Sequence, residues 1–120
     1  MSQTQIFRGV QTRITRIGGT TQFIYRGTTV VELVDGGIIL RNGGWSSVTT
    51  KLRMNQAANQ FGLGFVVYQE AFAWFVVTKD GTYDYSDGMR IDPLGRVEHK
   101  DGTDAEPLPD KPALINGRIT

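Results

Sequence analysis

The sequence predicts an α+β fold: an antiparallel sheet of about seven short strands with one helix (about 46–61) packed on it, in the order ββββ-α-βββ, ending in an irregular C-terminal tail. Three observations carry this expectation. Fifteen of the 120 residues are glycine, many of them paired or following Asp, and frequent tight turns in a short chain mean frequent short strands. The runs between those turns are rich in Val, Ile, Thr and aromatic residues, a strand composition. Only one long stretch has a helical period.

Residues 4–17 read as a first strand with a bend or bulge near Gly9, because the alternation of apolar residues is imperfect there. Gly18-Gly19 turns the chain into a second strand over 21–25, and Arg26-Gly27 breaks it before a third over 28–34. Asp35-Gly36-Gly37 is the clearest hairpin signal, joining that strand to a fourth over 38–41. The helix follows. Ser46 or Ser47 can cap its first turn by accepting a bond from a free backbone N–H. Gly62 suits the left-handed position that closes it. Thr50, Met54, Ala57, Ala58 and Phe61 form one stripe, and its alanines let a helix lie close to a sheet. Val48 and Leu52 fall on the far side and need other cover.

In the second half, residues 65–69 form a strand, Glu70 and Ala71 a turn, and residues 72–78 a strand apolar on both faces. Phe72, Trp74 and Val76 point one way, Phe75 and Val77 the other. Such a strand is central and covered on both sides, or one face meets another subunit. Turns at Lys79-Asp80-Gly81 and Asp87-Gly88 lead into strands over 82–85 and 89–91. All four prolines follow Asp92. Residues 1–91 are therefore expected to form a single α+β domain, and 92–120 a Pro/Asp-rich tail docked on it or on a neighbour.

Composition excludes several classes. Cysteine is absent, which removes disulfides, thiolate nucleophiles and cysteine zinc sites. No stretch approaches the roughly twenty apolar residues that cross a bilayer, and Arg8, Arg13 and Arg16 interrupt any signal-peptide pattern, so a soluble, intracellular protein without a membrane partner is expected. Residues 1–60 carry seven basic and two acidic groups, and residues 61–120 six basic and ten acidic. Either one face is positive and meets phosphate, or the halves neutralise each other.

No nucleophile, base and metal set converges, so no enzymatic activity, cofactor or metal is expected. His99 lies alone in the acidic tail, and Asp80 and Asp87 precede glycine as turn residues. The spacing of Asp80, Asp84, Asp87 and Asp92 does not match a calcium loop. The helix start is the better candidate. Free N–H groups there attract anions, Ser46, Ser47, Thr49 and Thr50 add hydroxyls, and Lys51 and Arg53 add charge. Trp45, with Tyr25, Tyr68 and Trp74, offers stacking surfaces for bases. The expected nucleic-acid or anion site is Trp45, Ser46, Ser47, Lys51 and Arg53 with Arg8, Arg13 and Arg26. The expected interaction surface is Val48, Leu52, Phe72 and Trp74.

The run from Trp45 through Gln69, followed by Trp74-Phe75-Val76, Asp80-Gly81 and Asp87-Gly88-Met89, resembles small proteins encoded by tailed bacteriophages over roughly 37–91. The resemblance implies a viral origin and expression in the host bacterial cytoplasm, and carries no activity with it. Two functional expectations stand. The first is a non-enzymatic accessory protein that binds nucleic acid or another phosphate-bearing ligand. The second is a phage protein that binds a host or phage protein or forms a homo-oligomer, as an inhibitor of a host defence or host enzyme or as a structural component.

Overall fold

The computed structural model describes residues 3–6, 12–43, 48–115 and 118–119. Five strands precede the helix: β1 (Gln3–Ile6), β2 (Thr12–Ile17), β3 (Thr20–Tyr25), β4 (Thr28–Val34) and β5 (Gly37–Leu40). The helix α1 (Val48–Phe61) leads to a three-stranded meander, β6 (Val66–Glu70), β7 (Ala73–Thr78) and β8 (Gly81–Asp84). Then come β9 (Met89–Ile91), β10 (Val97–Glu98), β11 (Leu114–Ile115) and β12 (Arg118–Ile119). The fold is α+β with one helix, as the sequence predicts. The stretch expected to be one bent strand over 4–17 instead pairs with itself, Gln3 opposite Arg16 and Ile6 opposite Arg13. The bend expected at Gly9 lies outside the described residues.

The large sheet runs β1-β2-β3-β4-β5-β9-β10 and the small one β6-β7-β8. Helix and small sheet are thus inserted between two strands that are neighbours in the large sheet. Cross-strand registry makes one row of Ile14, Phe23, Val31, Leu40 and Met89, and every member is buried. Residues opposite one another share a face, so this row defines the face on which the helix lies. Thr50, Met54, Ala57 and Ala58 are the helix's buried residues, and Phe61 meets Phe23 edge to face at 5.1 Å. The stripe read from the sequence is the one that packs. At the helix end, Gly62 takes φ +61° and the Leu63 N–H bonds the Ala58 carbonyl at 3.0 Å, the six-to-one bond of a Schellman cap.

A bulge shapes β4. Phe23 pairs with Val31 but Ile24 pairs with Thr29, so Val30 is the extra residue. Val30 and Val31 are both buried, which a regular alternation forbids and a bulge allows. The Val30 carbonyl is taken by the Arg41 N–H at 3.0 Å.

The small sheet is held at both edges. Asn55 of the helix donates its amide to the Val67 carbonyl and accepts the Val67 N–H, both at 2.7 Å, so one side chain imitates the peptide group of a neighbouring strand. At the other edge, the Leu108 N–H bonds the Thr82 carbonyl at 2.7 Å, and the Thr82 hydroxyl donates to the Pro112 carbonyl at 2.5 Å. Lys111 also lies 5.3 Å from the centre of the Phe75 ring, which stacks on Tyr68. The outer apolar face of β7 is thereby covered by the chain's own C-terminal segment.

Candidate functional site

Tyr25 ends β3 on the core face, opposite Thr28 across a two-residue turn. Arg26 (φ +50°) and Gly27 (φ +79°) form that turn with both backbones left-handed, the type I′ geometry whose twist matches a hairpin. Glycine adopts it freely. Arginine does so at a cost of roughly 1–2 kcal/mol. The turn lies over the first turns of the helix, and the Arg26 guanidinium carbon is 5.4 Å from the Tyr25 ring centroid. The Arg53 guanidinium carbon, reaching from the helix, is 5.6 Å from the same centroid. Both are inside the roughly 6 Å reach of a cation–π contact. Arg53 is also held by Gln56, whose side-chain oxygen accepts at 3.0 Å.

Beside this array is a cleft of about 420 Å³ lined by Tyr25, Arg26, Thr28, Val30, Asn42, Thr49 and Thr50. Its walls come from the β3–β4 tip, the chain just after β5 and the helix's first turn. The bulge at Val30 lies at the base of this tip, where an extra residue bends and twists its strand. Asn42 is fixed from below, its N–H donating to Asp87 Oδ1 at 2.7 Å. The Tyr85 hydroxyl donates to the same oxygen at 3.1 Å. Burial, reinforced by the Asp87 carboxylate, pushes the Tyr85 phenol far above its ordinary range, so it stays a donor. Gly43 (φ +65°) packs so closely on Thr28 that a Cβ would lie 3.0 Å from the Thr28 methyl.

Of the site residues expected from the sequence, the structure brings Arg26 and Arg53 together. Lys51 is half-buried in the first turn of the helix, and neither it nor Arg53 lines the cleft itself, Arg53 reaching only the Tyr25 ring at its edge. Arg13 pairs with Ile24 across β2 and β3, one residue out of phase with the buried Ile14, and so stands on the opposite face of the sheet. Arg16 sits opposite Thr21, at the far end of that ladder from Tyr25. Arg8, Trp45, Ser46 and Ser47 lie outside the described residues. Thr28 and Asn42 were not anticipated. The sequence marks Arg26-Gly27 as a break between strands and Arg26 as a site residue, and the structure shows that the break is a two-residue turn that places its side chain on Tyr25.

On the expected interaction surface, Val48 and Leu52 are exposed, and Phe72 is 96% exposed. Trp74 is a correction. Only 7% of it is exposed, and it meets Tyr85 at 5.3 Å between ring centroids, so the core takes the ring from the surface. The turn before β7 is also one residue later than expected, at Ala71 (φ +51°) and Phe72 (φ +69°), with Glu70 paired to Ala73. Among the described residues no group of three or more His, Cys, Asp or Glu could hold a metal ion, and no helix is long and apolar enough to cross a membrane.

A family model described as Kyanoviridae Gp96 protein matches residues 2–92. The chain belongs to that family. The Kyanoviridae are tailed phages of cyanobacteria, so this Gp96 family member is a tailed-phage protein, as its resemblance to small phage proteins implies. The matched span contains the whole cleft, the helix and the small sheet, and stops just after β9. No curated protein and no solved structure matches the chain.

Proposed function

We propose that this Gp96 family member is a non-enzymatic phage accessory protein that binds a phosphate-bearing ligand, nucleic acid foremost, acting in the cytoplasm of the infected host. One observation carries the reading: two guanidinium groups share the Tyr25 ring beside a cleft of about 420 Å³. Guanidinium forks match phosphate oxygens in geometry as well as charge, and two of them beside one cleft concentrate positive potential where an anion can enter. The test is binding of fluorescently labelled DNA and RNA, followed as a function of salt. Affinity is expected to fall as salt rises, and the double variant R26A/R53A to reduce the slope of log K against log salt by about 1–2 units. Absence of binding at about 50 mM salt ends this reading.

A second reading, a protein-binding or self-assembling phage protein, is favoured by Phe72. An almost fully exposed aromatic ring is the kind of side chain that anchors protein interfaces. Light scattering over a concentration series, for the wild type and F72A, separates self-association from a monomer that awaits another protein.

A further inference from the structure

The cleft suits an unpaired nucleotide, and we infer that it binds a nucleoside phosphate, free or within a single strand, in preference to duplex nucleic acid. The inference rests on the phosphate-binding reading and narrows it. A duplex is held by cations spread along a face that tracks two backbones. Among the described residues, five arginines are engaged elsewhere or stand apart from the cleft. Arg41 is paired with Glu32 at 2.6 Å and Arg96 with Asp92 at 3.1 Å. Arg90 donates to the Asp35 carbonyl at 3.0 Å, and Arg13 and Arg16 stand on other parts of the large sheet. Arg26 and Arg53, by contrast, converge on one ring, that of Tyr25.

That place is concave. Its volume of about 420 Å³ falls in the range of small-ligand sites, about 300–1,000 Å³, whereas duplex phosphates lie on a convex cylinder that cannot enter it. The lining chemistry is that of a splayed-out nucleotide. Arg26 lines the cleft and offers charge for the phosphate and a flat guanidinium plane on which a base stacks, and Arg53 adds a second charge across the Tyr25 ring. Thr28 and Thr49 offer hydroxyl groups, which both donate and accept, to the edge of a base or to a sugar. Arg26 occupies a left-handed turn position that Asn would also accept, which makes a charge-removing substitution there possible without disturbing the turn.

Fluorescence anisotropy decides the matter, with a labelled single-stranded oligonucleotide, the same sequence as a duplex, and competition by adenosine monophosphate, adenosine and inorganic phosphate. The single strand is expected to bind at least tenfold tighter than the duplex, and the monophosphate to compete better than adenosine or phosphate alone. R26N, which keeps the turn and removes the charge, is expected to weaken single-strand binding at least tenfold with the fold intact by circular dichroism. R53Q, which leaves the turn untouched, should do the same. Duplex binding equal to or tighter than single-strand binding overturns the inference and leaves the phosphate-binding reading standing. Unchanged binding by both R26N and R53Q moves the ligand to another surface and overturns the inference as well. No binding of any probe removes the underlying reading itself.

Discussion

The β3–β4 tip, Arg26–Gly27, and the β6–β7 tip, Ala71–Phe72, make the same two-residue turn, with positive φ at both central positions. At the first tip glycine relieves half the strain, and the Arg26 side chain folds back on the Tyr25 ring beside a cleft. At the second neither residue is glycine, and the Phe72 ring stands in water. The first tip therefore recovers part of its backbone cost inside its own chain. The second recovers nothing there. Strain alone does not mark a site; what the strained side chain touches separates a prearranged pocket from a surface whose return must come from outside.

The helix joins the two hairpins, since Arg53 reaches Tyr25 of β3 on one side and Asn55 grips Val67 of β6 on the other. The largest expected effect comes from cutting that joint. N55A removes both bonds and leaves a strand N–H and carbonyl without partners, a loss of about 2–4 kcal/mol by denaturant unfolding; a loss under about 1 kcal/mol would show that the second hairpin is held independently of the helix.

Next in size is R26N at the first tip, where stability and binding should move in opposite directions. Asn tolerates the left-handed turn better than Arg, so the midpoint of thermal unfolding rises. Affinity for a phosphate-bearing ligand falls at least tenfold, or about 1.4 kcal/mol. If both quantities fall, Arg26 is structural rather than a ligand contact. The matching change at the second tip, A71N/F72G, installs the residue pair that a type I′ turn favours, and should stabilise the monomer by about 1 kcal/mol. Any self-association in the wild type should disappear with it; persistence of that association excludes Phe72 as its cause.

The smallest expected effect is a control remote from both tips. The Arg41 hydrogen bond holds the Glu32 carboxyl below its ordinary value of 4.5, against the opposing effect of burial and with help from Gln22. A carboxyl whose folded pKa is depressed stabilises the fold above its unfolded pKa, and that contribution is lost as pH falls through the folded one. Acid unfolding below about pH 4.5 should therefore be less steep for E32Q than for the wild type, with ligand affinity at neutral pH unchanged in both.

Local signals in the sequence were enough for the turns at Gly18-Gly19 and Asp35-Gly36, for the Gly62 cap and for the helix stripe from Thr50 to Phe61. Each depends on residues close to one another in the chain. Non-local pairings were not legible. Nothing in Met89-Arg90-Ile91 says that it leaves the small sheet and joins β5. Nor does anything in the proline-rich segment say that Lys111 and Pro112 will cover β7 and the edge of β8. Phe72 defeated the turn reading because neither Ala nor Phe is a turn former. The pattern of β7 shows two apolar faces but not what covers each: the core takes Trp74, and the C-terminal segment reaches the Phe75 face. At the cleft, the charges of Arg26 and Arg53 are legible in the sequence, but their meeting at Tyr25 is a contact between a hairpin and a helix twenty-seven residues apart, and the bulge at Val30 is not announced by the alternation of Thr28 to Val34.

The registry at the root of the insertion has one further consequence. Leu40 and Met89 are directly opposed in adjacent strands, the Gly88 N–H bonds the Leu40 carbonyl at 2.8 Å, and Asn42 is tied to Asp87. Entry and exit of the helix and small sheet thus meet at a single stitched point. A tight two-residue turn between β5 and β9 could replace the whole excursion and leave the large sheet's ladder unbroken. The inserted segment nevertheless supplies Met54, Phe65, Val76 and Tyr83 to the same core as Phe23 and Leu40, so the seam is a hinge point in the chain but not in the core, and the cleft, with one wall on each side of that seam, takes its shape from how the insertion docks.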